Sequence, residues 1–153
     1  MNAKYKLALD VMSGERDPYA SIDAAIEALR NVEGLKIFLV GDQGAILERF
    51  PKDLMHNIEI IHTDEVVSMH ESPIDALRKK KNSSMRLSVN LVSEGKADAC
   101  VSSGNTGALM ANAKYVLKTL PTIDRPAFMK AIPTKGGYTY MLDLGANSTC
   151  TAE

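Results

Sequence analysis

Apolar residues along this chain fall into two alternating patterns. Short, nearly continuous runs rich in strand-forming residues occur at 6–11 (KLALDV), 35–41 (LKIFLVG), 58–63 (IEIIHT) and 97–102 (ADACVS), each too short for a helix. Between them apolar residues recur at helical spacing. Ile22, Ile26 and Leu29 form one face after Asp17-Pro18, where Asp reads as an N-cap and Pro as the first helical residue, and Gly34 ends that helix. Asp42 is placed to cap a short helix carrying Ile46 and Leu47. Helices are predicted over 73–80 and 84–94, the second with Met85, Val89 and Val92 on one face. Leu109, Ala113, Val116 and Leu120 mark a further helix, and two more strands are predicted near 127–132 and 138–143.

Strands apolar on both faces and alternating with amphipathic helices imply a doubly wound α/β fold, with a mostly parallel sheet covered by helices on both faces. No internal repeat, low-complexity tract or Gly/Ser linker divides the sequence, so residues 1–153 read as a single α/β domain. The chain closes on MLDLGANSTCTAE, a strand and polar turn without the helix that should follow in such a fold. The expectation is therefore the N-terminal part of a longer chain.

Composition narrows the function classes. With 18 basic and 19 acidic residues and a formal net charge of -1, there is no bulk field to hold nucleic acid or an anionic membrane, and any anion site must be local. Two cysteines, Cys100 and Cys150, are too few for a disulfide framework, and Cys100 reads as a small core residue. The opening MNAKYKLALDVM has an apolar run broken by Asp10, neither signal peptide nor membrane span, which fits a cytoplasmic protein. His56, His62 and His70 are scattered, match no metal or triad spacing, and read as surface or strand-end residues.

Candidate chemistry concentrates where strands meet helices. In SSGNTGALM, 102–110, Gly104 and Gly107 permit unusual backbone angles and close approach, Ser103, Asn105 and Thr106 supply side-chain donors, and the helix that follows offers free N–H groups. An anion, phosphate above all, suits that corner, and a ligand-free glycine-rich cap suits it equally. It is neither a Walker loop nor a dinucleotide fingerprint. DVMSGERDP, with Asp10 and Gly14, and DLGAN, with Asp143 and Asn147, are similar turns, and three of them at one sheet edge would converge on one crevice. SPIDALRKKKNSSMR, 72–86, holds Arg78, Lys79, Lys80, Lys81 and Arg86 around Ser83 and Ser84. Four consecutive cations cannot share one helix face, so most should be merely solvated, while Ser83 and Ser84 are good N-caps and Lys81 and Arg86 could add charge to an anion site.

In order along the chain, DVMSGERDP, VGD at 40–42, SPIDALRKKKNSSMR, GKADACVSSGNTGALM, IDRPA and LDLGAN resemble the phosphate acyltransferases of bacterial phospholipid synthesis, the PlsX family. The family usually reads DxMGGD where this chain has Ser13 and Glu15, and an apolar residue and an Asp where it has Ser148 and Thr149. The resemblance implies a fold similar to that of isopropylmalate and isocitrate dehydrogenases, a homodimer, and a chain about twice as long. It implies that inorganic phosphate and acyl-[acyl carrier protein] give acyl phosphate and free carrier with no cofactor such as nicotinamide, and no residue is assigned to a metal. The product would feed a membrane glycerol-3-phosphate acyltransferase, which implies a place in the cytoplasm or peripherally at the inner membrane face. On that reading Asn105, Lys81, Arg86, Asp10 and Asp143 are the catalytic candidates. Gly14, Ser83, Ser84, Ser103, Gly104, Thr106, Gly107 and Asn147 are the phosphate- and substrate-binding ones. The rival enzymes are a short-chain phosphate acyltransferase using CoA thioesters and a β-decarboxylating dehydrogenase. The non-enzyme rival is a fragment that binds phosphate or the carrier without turnover.

Overall fold

A computed structural model describes residues 3–15, 18–123 and 126–143, which fall into two compact units, one up to Leu117 and one from Lys118 onward. The first unit contains β1 (Tyr5–Asp10), α1 (Pro18–Asn31), β2 (Leu35–Gly41), α2 (Gln43–Arg49), a 3-10 helix (Lys52–Asn57), β3 (Ile58–His62), α3 (Pro73–Lys79), α4 (Ser84–Ser93), β4 (Ala99–Val101) and α5 (Thr106–Leu117). The four strands form one parallel sheet in the order β3-β2-β1-β4.

The period-2 geometry of β2 divides the core between two faces of the sheet. Ile37 and Leu39 pack with Ile22 and Ala25 of α1 and with Ile46 and Phe50. Phe38 and Val40 pack on the opposite side with Ala8, with Leu91 of α4 and with Ala97. Each buried Ile, Leu, Val or Phe among them contributes about 1.5–3 kcal/mol of transfer free energy. An α/β fold with helices on both faces of a parallel sheet is what the sequence pattern predicted. Asp42 does cap α2, its carboxylate accepting from the Ala45 amide at 2.9 Å.

The strand order places the site. The chain runs outward from β1 through β2 to β3, then crosses back so that β4 lies against the other edge of β1. At this reversal the turns after β1 and β4 leave the same end of the sheet in opposite directions, the point where open α/β sheets form their crevice.

Two expectations are corrected. Leu109, Ala113, Val116 and Leu120 do not form the buried face of α5: Ala108 and Asn112 are its buried residues, and Leu120, beyond the helix end, is 76% exposed. The small Ala108 lets α5 approach Met85 and Ala76 closely, and Leu109 packs only at the margin of that cluster. The last two strands, β5 (Met129–Thr134) and β6 (Gly137–Leu142), are not a continuation of the parallel sheet but an antiparallel pair in the second unit, exposed along both strands. Lys135 and Gly136 alone connect them, and so short a loop can only return a strand antiparallel. Among the described residues no helix is long and apolar enough to cross a membrane, and no group of three or more His, Cys, Asp or Glu is placed to hold a metal ion.

Candidate functional site

Asp10 ends β1 with its side chain fully buried, and it organises the crevice. One carboxylate oxygen accepts from the amides of Met12 and Ser13, each at 3.2 Å, which bends the chain out of the strand. The other accepts from Ser102 Oγ at 2.7 Å, and Ser102 Oγ in turn accepts from the Gly104 amide at 3.2 Å. The turns after β1 and β4 are thus tied through one carboxylate and one hydroxyl. Ser103 Oγ adds a second tie by donating to the Ser13 carbonyl at 2.8 Å.

Two glycines let these turns interlock. Gly14 has φ +126°, and a Cβ there would stand 2.7 Å from Ser103 Oγ. Gly104 has no positive φ. Its contribution is space rather than an unusual angle, because an added Cβ would lie 2.5 Å from Ser13 Cβ and 2.8 Å from Met85 Cε. Gly107 likewise lies against Pro73 at the start of α3, whose Cγ would be 2.9 Å from an added Cβ.

Asn105 caps α5. Its Oδ1 accepts from the Ala108 amide at 3.0 Å, while Nδ2 donates to the carbonyls of Met69 and Glu71 at 2.9 Å and of Ser68 at 3.4 Å. The side chain therefore fastens the loop before α3 to the start of α5. That loop is anchored at its other end too, where Thr63 Oγ1 donates to the Asn82 carbonyl and Glu65 accepts from the amides of Asn82 and Ser84. With Ala108 capped and the Leu109 amide bonded to the Asn105 carbonyl, the amides of exposed Thr106 and of Gly107 are left without a hydrogen-bond partner among the described residues. Two unpaired N–H groups at the positive end of a 12-residue helix favour an anion.

The remaining candidates separate. Ser83 is the N-cap of α4: it accepts from the Arg86 amide at 3.3 Å and donates to the Lys80 carbonyl. Ser84 Oγ is fully buried and has no hydrogen-bond partner among the described residues. The Arg86 guanidinium turns along α5 instead of toward its start, donating to Asn112 Oδ1 at 3.1 Å and Asn90 Oδ1 at 3.2 Å and lying 5.0 Å from the Tyr115 ring centroid. Asn112 and Tyr115 lie on α5 six and nine residues beyond Thr106, about 9 and 14 Å along the helix axis. Lys81 is exposed and Lys79 pairs with Asp75 at 2.8 Å, which raises the Lys79 pKa from its ordinary value. Asp143 follows β6 in the second unit with φ +57°, its amide bonded to the Phe128 carbonyl, and Asn147 lies outside the described residues. The expectation of a third turn converging from DLGAN falls mostly on residues outside the described ones.

His56, His62 and His70 are exposed as expected, and His62 Nδ1 accepts from the Gln43 amide at the end of β3. Cys100, on β4, has its thiol pushed up to about 11, first by burial and then by the charge of Asp10, so it is no nucleophile near neutral pH. Ser102 and Ser13 were not among the sequence candidates. Ser102 directly follows β4 and could have been paired with Asp10 once both were placed at strand ends. For Ser13 the signal was its departure from the DxMGGD motif of the family that the sequence resembles.

The fold and site define an α/β protein whose interlocked polar turns lie at the reversal of its strand order. A model of the fatty acid synthesis protein family matches residues 5–153, and the chain belongs to that family. It is 54% identical to the phosphate acyltransferase of Shewanella sp. (strain ANA-3) and 51% identical to that of Methylococcus capsulatus, in each case over 151 residues that make up 96% of this chain and 44% of the relative. The phosphate acyltransferase of Shewanella baltica is 53% identical over the same share of each chain. The resemblance drawn from the sequence motifs is thereby borne out, and the chain spans less than half the length of these relatives.

Proposed function

We propose that this chain forms the phosphate-binding portion of an enzyme that transfers an acyl group from acyl-[acyl carrier protein] to inorganic phosphate. Identity above 50% to named phosphate acyltransferases across nearly the whole chain carries this reading. The crevice supports it, since the unpaired amides of Thr106 and Gly107 suit a small anion.

In the reaction a phosphate oxygen attacks the thioester carbonyl, the C–S bond breaks, and the carrier thiolate takes up a proton. Phosphate is itself the nucleophile, so the half-buried, protonated Cys100 is not required. The protein's part is to hold both reactants and stabilise charge, and positioning of this kind supplies several kcal/mol. Asp10 and Asn105 serve as positioning residues, because their polar atoms hold the two turns and the cap. Arg78 and Lys81, exposed near the end of α3, offer a docking surface for the acidic carrier. The finer fold reading, an isopropylmalate dehydrogenase-like architecture working as a cytoplasmic homodimer, belongs to the same proposal. So does delivery of acyl phosphate to a glycerol-3-phosphate acyltransferase at the inner membrane face.

The test is incubation of the full-length protein with long-chain acyl-[acyl carrier protein] and labelled phosphate. Label should enter lipid-soluble acyl phosphate in step with release of the carrier thiol. Transfer from acyl-CoA but not from the carrier would assign the short-chain activity, and phosphate binding without transfer from either would leave a binding function.

A further inference from the structure

Ser13 is only 3% exposed, yet its Oγ has no hydrogen-bond partner among the described residues. Its amide and carbonyl are both engaged, by Asp10 and Ser103, so the backbone of the turn is fixed and only the hydroxyl is left over. That hydroxyl stands 3.2 Å from the point a Cβ on Gly104 would occupy, two residues before the helix whose first amides are unpaired. A buried hydroxyl without a partner is destabilising and is relieved when a ligand accepts its proton.

We propose that Ser13 Oγ is a direct ligand of the anion held at the start of α5, donating its proton to a phosphate oxygen alongside the amides of Thr106 and Gly107. The hydroxyl enters from the turn after β1, whereas the amides enter from the turn after β4, so the anion is gripped from both sides of the strand-order reversal. Ser13 then sets phosphate affinity and leaves the acyl donor untouched. This rests on the proposed phosphate site and assigns it a side-chain ligand.

Equilibrium dialysis of the full-length protein with 32P-orthophosphate, alongside initial-rate kinetics, tests the assignment. Ser13→Ala should weaken phosphate binding about tenfold, the loss of one hydrogen bond to a charged group. The KM for phosphate should rise to match, while the KM for the acyl donor stays put. The melting temperature of the phosphate-free variant should be unchanged or higher, because an unsatisfied buried hydroxyl has gone. Ser13→Gly, which also removes the Cβ, should show the same loss of affinity and guards against a folding defect peculiar to alanine. Phosphate binding by both variants equal to that of the unmodified protein would overturn the assignment even if acyl transfer proceeds. Ser13-dependent phosphate binding without acyl transfer would uphold it while the acyltransferase reading fell. An unmodified protein that binds no phosphate would overturn it together with the anion site.

Discussion

The crevice around Gly104 and the cationic stretch from Arg78 to Arg86 look equally promising as sequence, but they are built in opposite ways. In the crevice nearly every polar atom has a fixed partner: Asp10 holds Ser102 and two amides, Ser103 holds the Ser13 carbonyl, and Asn105 holds three carbonyls and a cap. Among the described residues, the amides of Thr106 and Gly107 and the buried hydroxyl of Ser13 are left there without a hydrogen-bond partner. In the cationic stretch Lys79 pairs with a neighbour on its own helix, Arg78 and Lys81 project into solvent, and Arg86 is drawn away along α5. A preorganised site recognises a small ligand, whereas exposed charge on long side chains attracts a large one without fixing its geometry.

Substitutions should separate the two regions by size of effect. The largest should come from Asp10→Ala, which strands the Ser102 hydroxyl and the amides of Met12 and Ser13 inside the crevice. Leaving such groups unsatisfied costs about 3 kcal/mol. Urea denaturation should show the midpoint falling by that equivalent with the slope unchanged, and phosphate binding should be lost with it. An unaltered midpoint would mean that the interlocked turns contribute nothing to the fold.

Gly104→Ala comes next. The new methyl would sit 2.5 Å from Ser13 Cβ and 2.8 Å from Met85 Cε, so one turn must shift. Overpacking of this kind costs about 2 kcal/mol. Because Gly104 has no positive φ, backbone strain adds nothing; Met85→Ala truncates a fully buried side chain and is costly by itself, but by vacating one of the two contacts it should let the double variant recover part of the sum of the two single losses. Denaturation of the single and double variants measures that recovery.

Asn105→Ala removes a helix cap and releases the loop at 68–71, for about 1 kcal/mol or somewhat more. Hydrogen exchange should speed up at the start of α5. Since the amide group is already engaged by the protein, acyl transfer should fall through poorer phosphate affinity rather than through a slower step at saturation.

These effects also mark what could be read from the chain. The continuous apolar run at 35–41 could only be a buried central strand, and β2 is that strand to the residue. The parallel sheet and its helices follow from such runs, as does the placing of Asp10 and of the SSGNTG corner at strand ends. The pairing of β5 with β6 was not legible in hydrophobicity, because alternation does not name a strand's neighbour. Nor was the buried face of α5, where Asn112 rather than an apolar residue faces inward because it accepts from Arg86 and donates to the Ala108 carbonyl. At the site, residue types and spacing identified an anion corner. Which donors were already engaged, Asn105 above all, depended on the loop at 68–71, distant in sequence and carrying no motif.

The smallest effect should come from the cationic stretch, and it sharpens the comparison most. Asp75 raises the Lys79 pKa chiefly through their hydrogen bond. A raised folded pKa means that the pair's stabilisation is present below the ordinary lysine value and lost as pH rises through the folded one, so at neutral pH it is intact. Yet both side chains are open to solvent, and an exposed pair within one helix is worth little and is screened by salt. Lys79→Ala should therefore leave the melting temperature unchanged at pH 7, in high salt and low. If the stretch docks an acidic carrier, combining Arg78→Ala with Lys81→Ala should raise the KM for the acyl donor at low ionic strength and lose that effect as salt is added. The phosphate KM should stay where it was.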